Sequence, residues 1–170
     1  SVEYIGNNSF TNCRDLKSVI VGAKYLGSDS FSNCNKLLTV TISSNVESIG
    51  QSAFERCRKL VSVLIQEGSS LQRIGAYGFY LCDSITSFTI PESLTVIGNY
   101  TFKDCWGLTM MVIPPSVTTI GEYAFYNCKK MDPFTFSGNS SLTSIGFRAF
   151  YRCATLKQIT IPDGVKEIPD

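Results

Sequence analysis

Apolar residues recur along this chain in one fixed frame: an Ile or Leu, a Gly, then Phe four residues after the Gly and Cys seven after it. Copies of the frame begin at Ile5, Leu26, Ile49, Ile74, Ile97, Ile120 and Ile145, and none departs from the Gly, Phe and Cys spacing. Three residues past each Cys stands Leu16, Leu37, Leu60, Ile85, Leu108, Met131 or Leu156. An alternating apolar pair follows in every copy: Val19 and Val21, Val40 and Ile42, Val63 and Ile65, Phe88 and Ile90, Met111 and Ile113, Phe134 and Phe136, Ile159 and Ile161. Successive Gly residues are 21 to 25 positions apart, and the length varies only between that pair and the next Val or Leu, as surface loops do. Self-similarity at this period predicts a solenoid, in which each unit covers its neighbour's apolar face.

The consensus IGxxxFxxCxxLxxIxIPxxVxx predicts the elements of one coil. LxxIxI alternates and is rich in Val, Ile, Phe and Thr, the pattern of a short strand with its apolar members turned inward. Pro91, Pro114 and Pro162 come directly after that segment and remove a ladder donor there. GxxxFxxC sets apolar residues at separations that a helix would place on one face, so one to two turns of helix are expected opposite the strand. The Gly before it implies an unusual backbone conformation or a close approach that a side chain would block.

The unit resembles the leucine-rich repeat of the BspA-like class, also called the Treponema pallidum type, over essentially the whole chain from Ile5 to Ile168. The resemblance implies an α/β solenoid, a right-handed superhelix with short parallel strands on the concave face and short helices on the convex one. It implies a single solenoid domain over residues 1–170. Where common leucine-rich repeats keep Asn after the strand, this chain has Lys24, Asn45, Gly68, Ser93, Ser116, Asn139 and Gly164, so that turn must be held differently. Residue 1 falls inside a repeat and neither end shows a polar cap, so a piece of a longer protein is expected.

The repeated thiols, Cys13, Cys34, Cys57, Cys82, Cys105, Cys128 and Cys153, carry the most obvious chemistry. One position repeated in every coil implies one structural environment, and free buried thiols packing as small apolar groups form the favoured reading of a structural ladder. Disulfides between neighbouring coils remain open, although an odd number cannot pair completely. No CxxC or Cys/His cluster supports zinc, and the absence of His removes the usual base for a thiol nucleophile. No cofactor and no catalytic constellation are expected.

Composition narrows the partners. A net charge of +1, without long runs of like charge, gives no reason to expect nucleic acid. The longest apolar runs, such as Leu37 to Ile42, fall far short of the roughly 20 residues that cross a bilayer, so no membrane insertion is expected in this stretch. The outward residues of the strands form an uncharged face on which Ile20, Leu38, Thr41, Val61, Leu64, Thr89, Met110, Val112, Thr135 and Thr160 are the candidate contacts. Its Thr and Val suit any sheet surface, while its apolar members suit a protein ligand. A second set lies in the Gly-to-Cys segment, where Tyr77, Tyr80, Tyr100, Trp106, Tyr123, Tyr126, Phe147 and Tyr151 stand among Arg56, Arg58, Lys59, Lys103, Lys129, Lys130 and Arg152. Such a mixture either packs between coils or binds glycan, nucleic acid or protein. Glycosylation sequons occur at Asn7, Asn99 and Asn139. By resemblance, the chain is expected to be a non-catalytic adhesion module of a secreted or cell-surface protein, contacting host matrix or surface proteins. The alternative is a structural spacer in such a protein, with the binding activity elsewhere.

Overall fold

The computed structural model describes residues 2–169. Its regular elements are β1 (Tyr4–Ile5), β2 (Ser18–Val21), β3 (Tyr25–Leu26), β4 (Thr39–Ile42), β5 (Ser48–Ile49), β6 (Ser62–Ile65), β7 (Arg73–Ile74), β8 (Val96–Ile97), β9 (Met111–Ile113), β10 (Thr119–Ile120), β11 (Phe134–Phe136) and β12 (Ser144–Ile145). All pair in parallel. The two-residue strands before each Gly form a seven-rung sheet in the order β1-β3-β5-β7-β8-β10-β12. LxxIxI strands make a second ladder in two parts, β2-β4-β6 and β9-β11. The chain is therefore a β-solenoid.

The expectation of an α/β solenoid with short helices on the convex face is wrong. No helix occurs among the described residues, and the Gly-to-Cys segment is a run of tight turns. The hydrogen bonds explain why. In the second coil the N–H groups of Asp29, Phe31 and Asn33 donate to Gln51, Ala53 and Glu55 of the next coil, each at 2.8 Å. Between them the Ser32 N–H closes a turn within its own coil, donating to the Asp29 carbonyl at 3.1 Å. A helix would spend every amide inside its own segment. Here alternate amides bridge coils, as they do in a strand. This geometry needs left-handed backbone at the second and sixth residues after every Gly, from Asn8 and Asn12 (φ 58° and 62°) to Arg148 and Arg152 (φ 50° and 63°). Positive φ repeated at that spacing cannot continue a right-handed helix.

Close stacking accounts for the Gly. A Cβ on Gly50 would lie 2.6 Å from the Leu26 carbonyl oxygen, and one on Gly75 would lie 2.6 Å from the Gln51 amide nitrogen. The preceding coil's backbone occupies the space a side chain would need, so close approach decides this position.

Inside the coils, Phe10, Phe31, Phe54, Phe79, Phe102, Phe125 and Phe150 form one stacked column, with centroids 5.0 to 5.7 Å apart and planes within 8°. Each such pair contributes about 0.5–1.5 kcal/mol beyond the area it buries. Leu37, Leu60, Ile85, Leu108 and Met131 are fully buried beside the column. The turn after the strand is held without an asparagine ladder. Asn45 Nδ2 donates to the Gly22 carbonyl at 2.7 Å, and the Ser93 and Ser116 hydroxyls donate to the carbonyls of Leu71 and Leu94 at 2.8 and 2.9 Å. Pro91 and Pro114 open those turns, their carbonyls accepting from Leu94 and Val117.

The strand ladder has two interruptions. Residues 86–90 form no regular strand, which separates β6 from β9, and residues 157–161 form none beside β11. Length and β-branching do not explain the first, since Phe88 and Ile90 are still buried; the inward side chains keep their places while the backbone pairing lapses.

Candidate binding surface

The seven thiols are all free. Cys34, Cys57, Cys82, Cys105 and Cys128 are buried, and Cys13 and Cys153, in the terminal coils, are half-buried. From the second coil onward each thiol donates to the carbonyl of the column Phe one coil earlier: Cys57 Sγ to Phe31 O at 3.2 Å, Cys82 to Phe54 O at 3.1 Å, Cys105 to Phe79 O at 3.1 Å. That carbonyl already accepts an amide from its own coil, as Phe54 O does from Cys57 N–H at 3.2 Å. A thiol thus fills a small site and satisfies the carbonyl's second lone pair with a weak donor. Burial pushes the thiols of Cys82, Cys105 and Cys128 well up, and that of Cys153 to about 11. Thiolate chemistry is suppressed there, because the thiolate is the nucleophile and the metal ligand. No group of His, Cys, Asp or Glu suited to a metal occurs among the described residues.

The outward strand face falls into two areas. In the first three coils the register places Ile20 beside Thr41 and Thr41 beside Leu64. Ile20 is 75% exposed and Leu64 58%, while Leu38 and Val61, joined by the Val61 N–H to Leu38 carbonyl bond, are 42% and 44% exposed. These five residues make one patch. Farther along, Met110 and Val112 are exposed beside a cleft of about 290 Å³, lined by Ser87, Phe88, Thr89, Ile90 and Pro114 among others. The cleft lies where the strand pairing lapses at residues 86–90, so Thr89 sits in it and not on a continuous sheet. Thr135 pairs with Val112. Thr160 belongs to no regular strand; together with Thr135 it lines a larger opening of about 880 Å³ between the last two coils, bounded by Phe134, Phe136, Ile161 and Pro162. Asp132 and Lys157 pair at 3.3 Å within it. Neither cleft was visible in the sequence, because both come from missing backbone pairs and the side-chain pattern continues through them.

The repeat frame, its turn ladder and its Phe and Cys columns match one family over the full sequence. A family model described as the BspA type leucine rich repeat region, in six copies, covers residues 1–70 and 65–170. The chain belongs to the BspA-type leucine-rich repeat family. Among solved structures it is similar to a leucine rich cell surface protein from Faecalibacterium prausnitzii, at 30% identity over 99% of this chain and 44% of that one, with a TM-score of 0.78. It is also similar to the Treponema pallidum leucine rich repeat protein, at 26% identity over 89% and 80% of the two chains and a TM-score of 0.71. A leucine-rich repeat protein from Bacteroides ovatus shares 25% identity over 97% of this chain and 48% of that one, with a TM-score of 0.67. The sequence thus spans less than half of the Faecalibacterium and Bacteroides proteins. No curated protein matches it. No described helix is long and apolar enough to cross a membrane.

Proposed function

We propose that this BspA-type solenoid is a protein-binding module of a cell-surface or secreted protein, and that it engages a host matrix or surface protein through its outward strand face. The observation that carries this reading is the patch of Ile20, Leu38, Thr41, Val61 and Leu64, an uncharged area that leaves large apolar side chains 42% to 75% exposed on the paired strands and at the residues just before them. Contiguous exposed apolar area on a soluble repeat protein marks a contact site more often than scattered single residues do. Thr89, Met110, Val112, Thr135 and Thr160 extend the face toward the C-terminal coils. The Faecalibacterium neighbour, a cell surface protein, supports the location.

Binding to a panel of extracellular-matrix proteins tests the proposal, comparing the wild type with a Leu64→Asp, Val112→Asp double variant. Both side chains point outward, so the variant should keep its melting temperature and lose binding. Retained binding would exclude the strand face. The second reading, a spacer that carries binding parts located elsewhere, is supported by the neighbours being more than twice as long as this sequence. It predicts no matrix binding by the wild type either.

A further inference from the structure

The turn face of the later coils is built differently from that of the first ones. Two residues after each Gly the backbone is left-handed, and the first three coils fill that position with Asn8, Asp29 and Ser52. Asn and Asp tolerate this conformation. The next three coils place Tyr77, Tyr100 and Tyr123 there, with φ of 60°, 60° and 52°. Bulky residues are outliers at such angles, and strained backbone concentrates at functional sites.

The rings form a platform. Tyr77 stacks on Tyr100 at 4.5 Å and Tyr100 on Tyr123 at 5.0 Å, with planes within 7°. Tyr80, Tyr126 and Tyr151 form a second row beside them, and Lys103 takes the place between Tyr80 and Tyr126 in that row, its ammonium 5.1 to 6.0 Å from the rings of Tyr80, Tyr100, Tyr123 and Tyr126. Arg148 lies over Phe147 and Tyr151, and Lys129 over Trp106. Among the described residues none of these three bases forms an ion pair, whereas Lys24, Lys36 and Arg58 of the earlier coils pair with Glu47, Asp15 and Asp83. The tyrosine hydroxyls of the platform donate to no carboxylate, amide or backbone carbonyl among the described residues, although Tyr25 in the second coil donates to Glu47 at 2.9 Å. Desolvation, with neighbouring charge and rings adding to it, raises the phenols of Tyr80 and Tyr100 and keeps them protonated as donors.

We propose that the turn face of the later coils, centred on Lys103 and the ladder of Tyr77, Tyr100 and Tyr123, binds an anionic polysaccharide lying along the solenoid axis. Three observations select this class. The ring faces of the ladder cover one another, so what the ligand meets is their edges, which are the positive part of an aromatic quadrupole, together with phenol hydroxyls and cations in no ion pair among the described residues. Single-stranded nucleic acid binds by stacking its bases on open ring faces, and the ladder offers few. The stacked rings advance 4.5 to 5.0 Å per coil, whereas an extended peptide repeats on one face only every ~6.7 Å. A linear chain of sugars, each about one ring long and each carrying acceptors, matches the shorter repeat.

Heparin serves as the probe, measured by calorimetry and by salt elution from a heparin column, with neutral dextran, poly-glutamate and oligo-thymidylate as comparisons. The wild type should bind heparin in a salt-sensitive way, ignore dextran, and bind the other two polyanions more weakly. A Tyr77→Asn, Tyr100→Asn, Tyr123→Asn variant installs the residue of the first coil, relieves the backbone and should weaken heparin binding by about tenfold or more, as loss of central aromatic anchors does. Lys103→Gln should weaken it severalfold without moving the melting temperature, and it decides alone if the triple variant melts early. Absence of heparin binding, equal binding to poly-glutamate or oligo-thymidylate, or unchanged affinity in Lys103→Gln would each overturn the proposal.

Discussion

The first three coils and the later ones share the Gly, Phe and Cys positions of the interior and differ on the turn surface. Both halves carry the same Phe column, the same thiol-to-carbonyl bonds and the same cross-coil amides. At the second residue after Gly, however, the early coils have Asn, Asp and Ser, and the later ones Tyr, Tyr, Tyr and Arg. A left-handed conformation costs an ordinary residue about 1–2 kcal/mol. A stacked aromatic pair returns about 0.5–1.5 kcal/mol. Stability alone therefore gives the tyrosines little net advantage over Asn. Positions identical in every coil report packing, and positions that drift along the axis are free of that constraint.

The largest effects should fall on what the halves share. Phe31→Ala and Phe102→Ala should each cost about 3–5 kcal/mol in denaturant unfolding, nearly equally, because each removes a fully buried ring. A marked inequality would mean that the column is not one structure. Alkaline pH is next. The folded thiols of Cys82, Cys105 and Cys128 have raised pKa values, so above the ordinary thiol value of about 8.5 the unfolded chain loses protons that the folded chain retains. Stability is then complete below that pH and falls above it, by about 1.4 kcal/mol per thiol for each pH unit. A Cys105→Ala variant should show a shallower alkaline decline, measured by urea midpoints between pH 7 and 10. Gly50→Ala and Gly75→Ala should each cost about 1–3 kcal/mol by forcing neighbouring coils apart. The smallest effect divides the halves: Asn8→Tyr should lose about 1 kcal/mol, while Tyr100→Asn should leave the midpoint almost unchanged. The reverse order would show that the tyrosines serve stability.

Much of this organisation was legible in the chain, and the misreading has an identifiable cause. The period, the inward pair of each strand and the Gly, Phe and Cys columns follow from side-chain spacing, which the solenoid preserves in every coil. The helix was a false reading of that same spacing. Phe, Cys and the following Leu recur at intervals of three, which suits successive tight turns as well as a helix, and strict threes drift around a helix of 3.6 residues per turn. Asn8, Asn12, Asp29 and Asn33 carried the corrective signal, since residues favouring left-handed backbone at a fixed offset argue against any helix. The strand face could be read only in part. Exposure of Ile20 and Leu64 follows from alternation, but the lapse at residues 86–90 and the opening that holds Thr160 depend on backbone pairing between coils. The platform around Lys103 required knowing which turn residues stack along the axis.

The repeated positions form a closed interior. Thiol labelling of the native protein, followed residue by residue, tests it most directly. Cys34, Cys57, Cys82, Cys105 and Cys128 should remain unmodified until denaturant unfolds the chain, while Cys13 and Cys153 in the terminal coils react sooner. Rapid native labelling of several of the five interior thiols would mean that the interior is open.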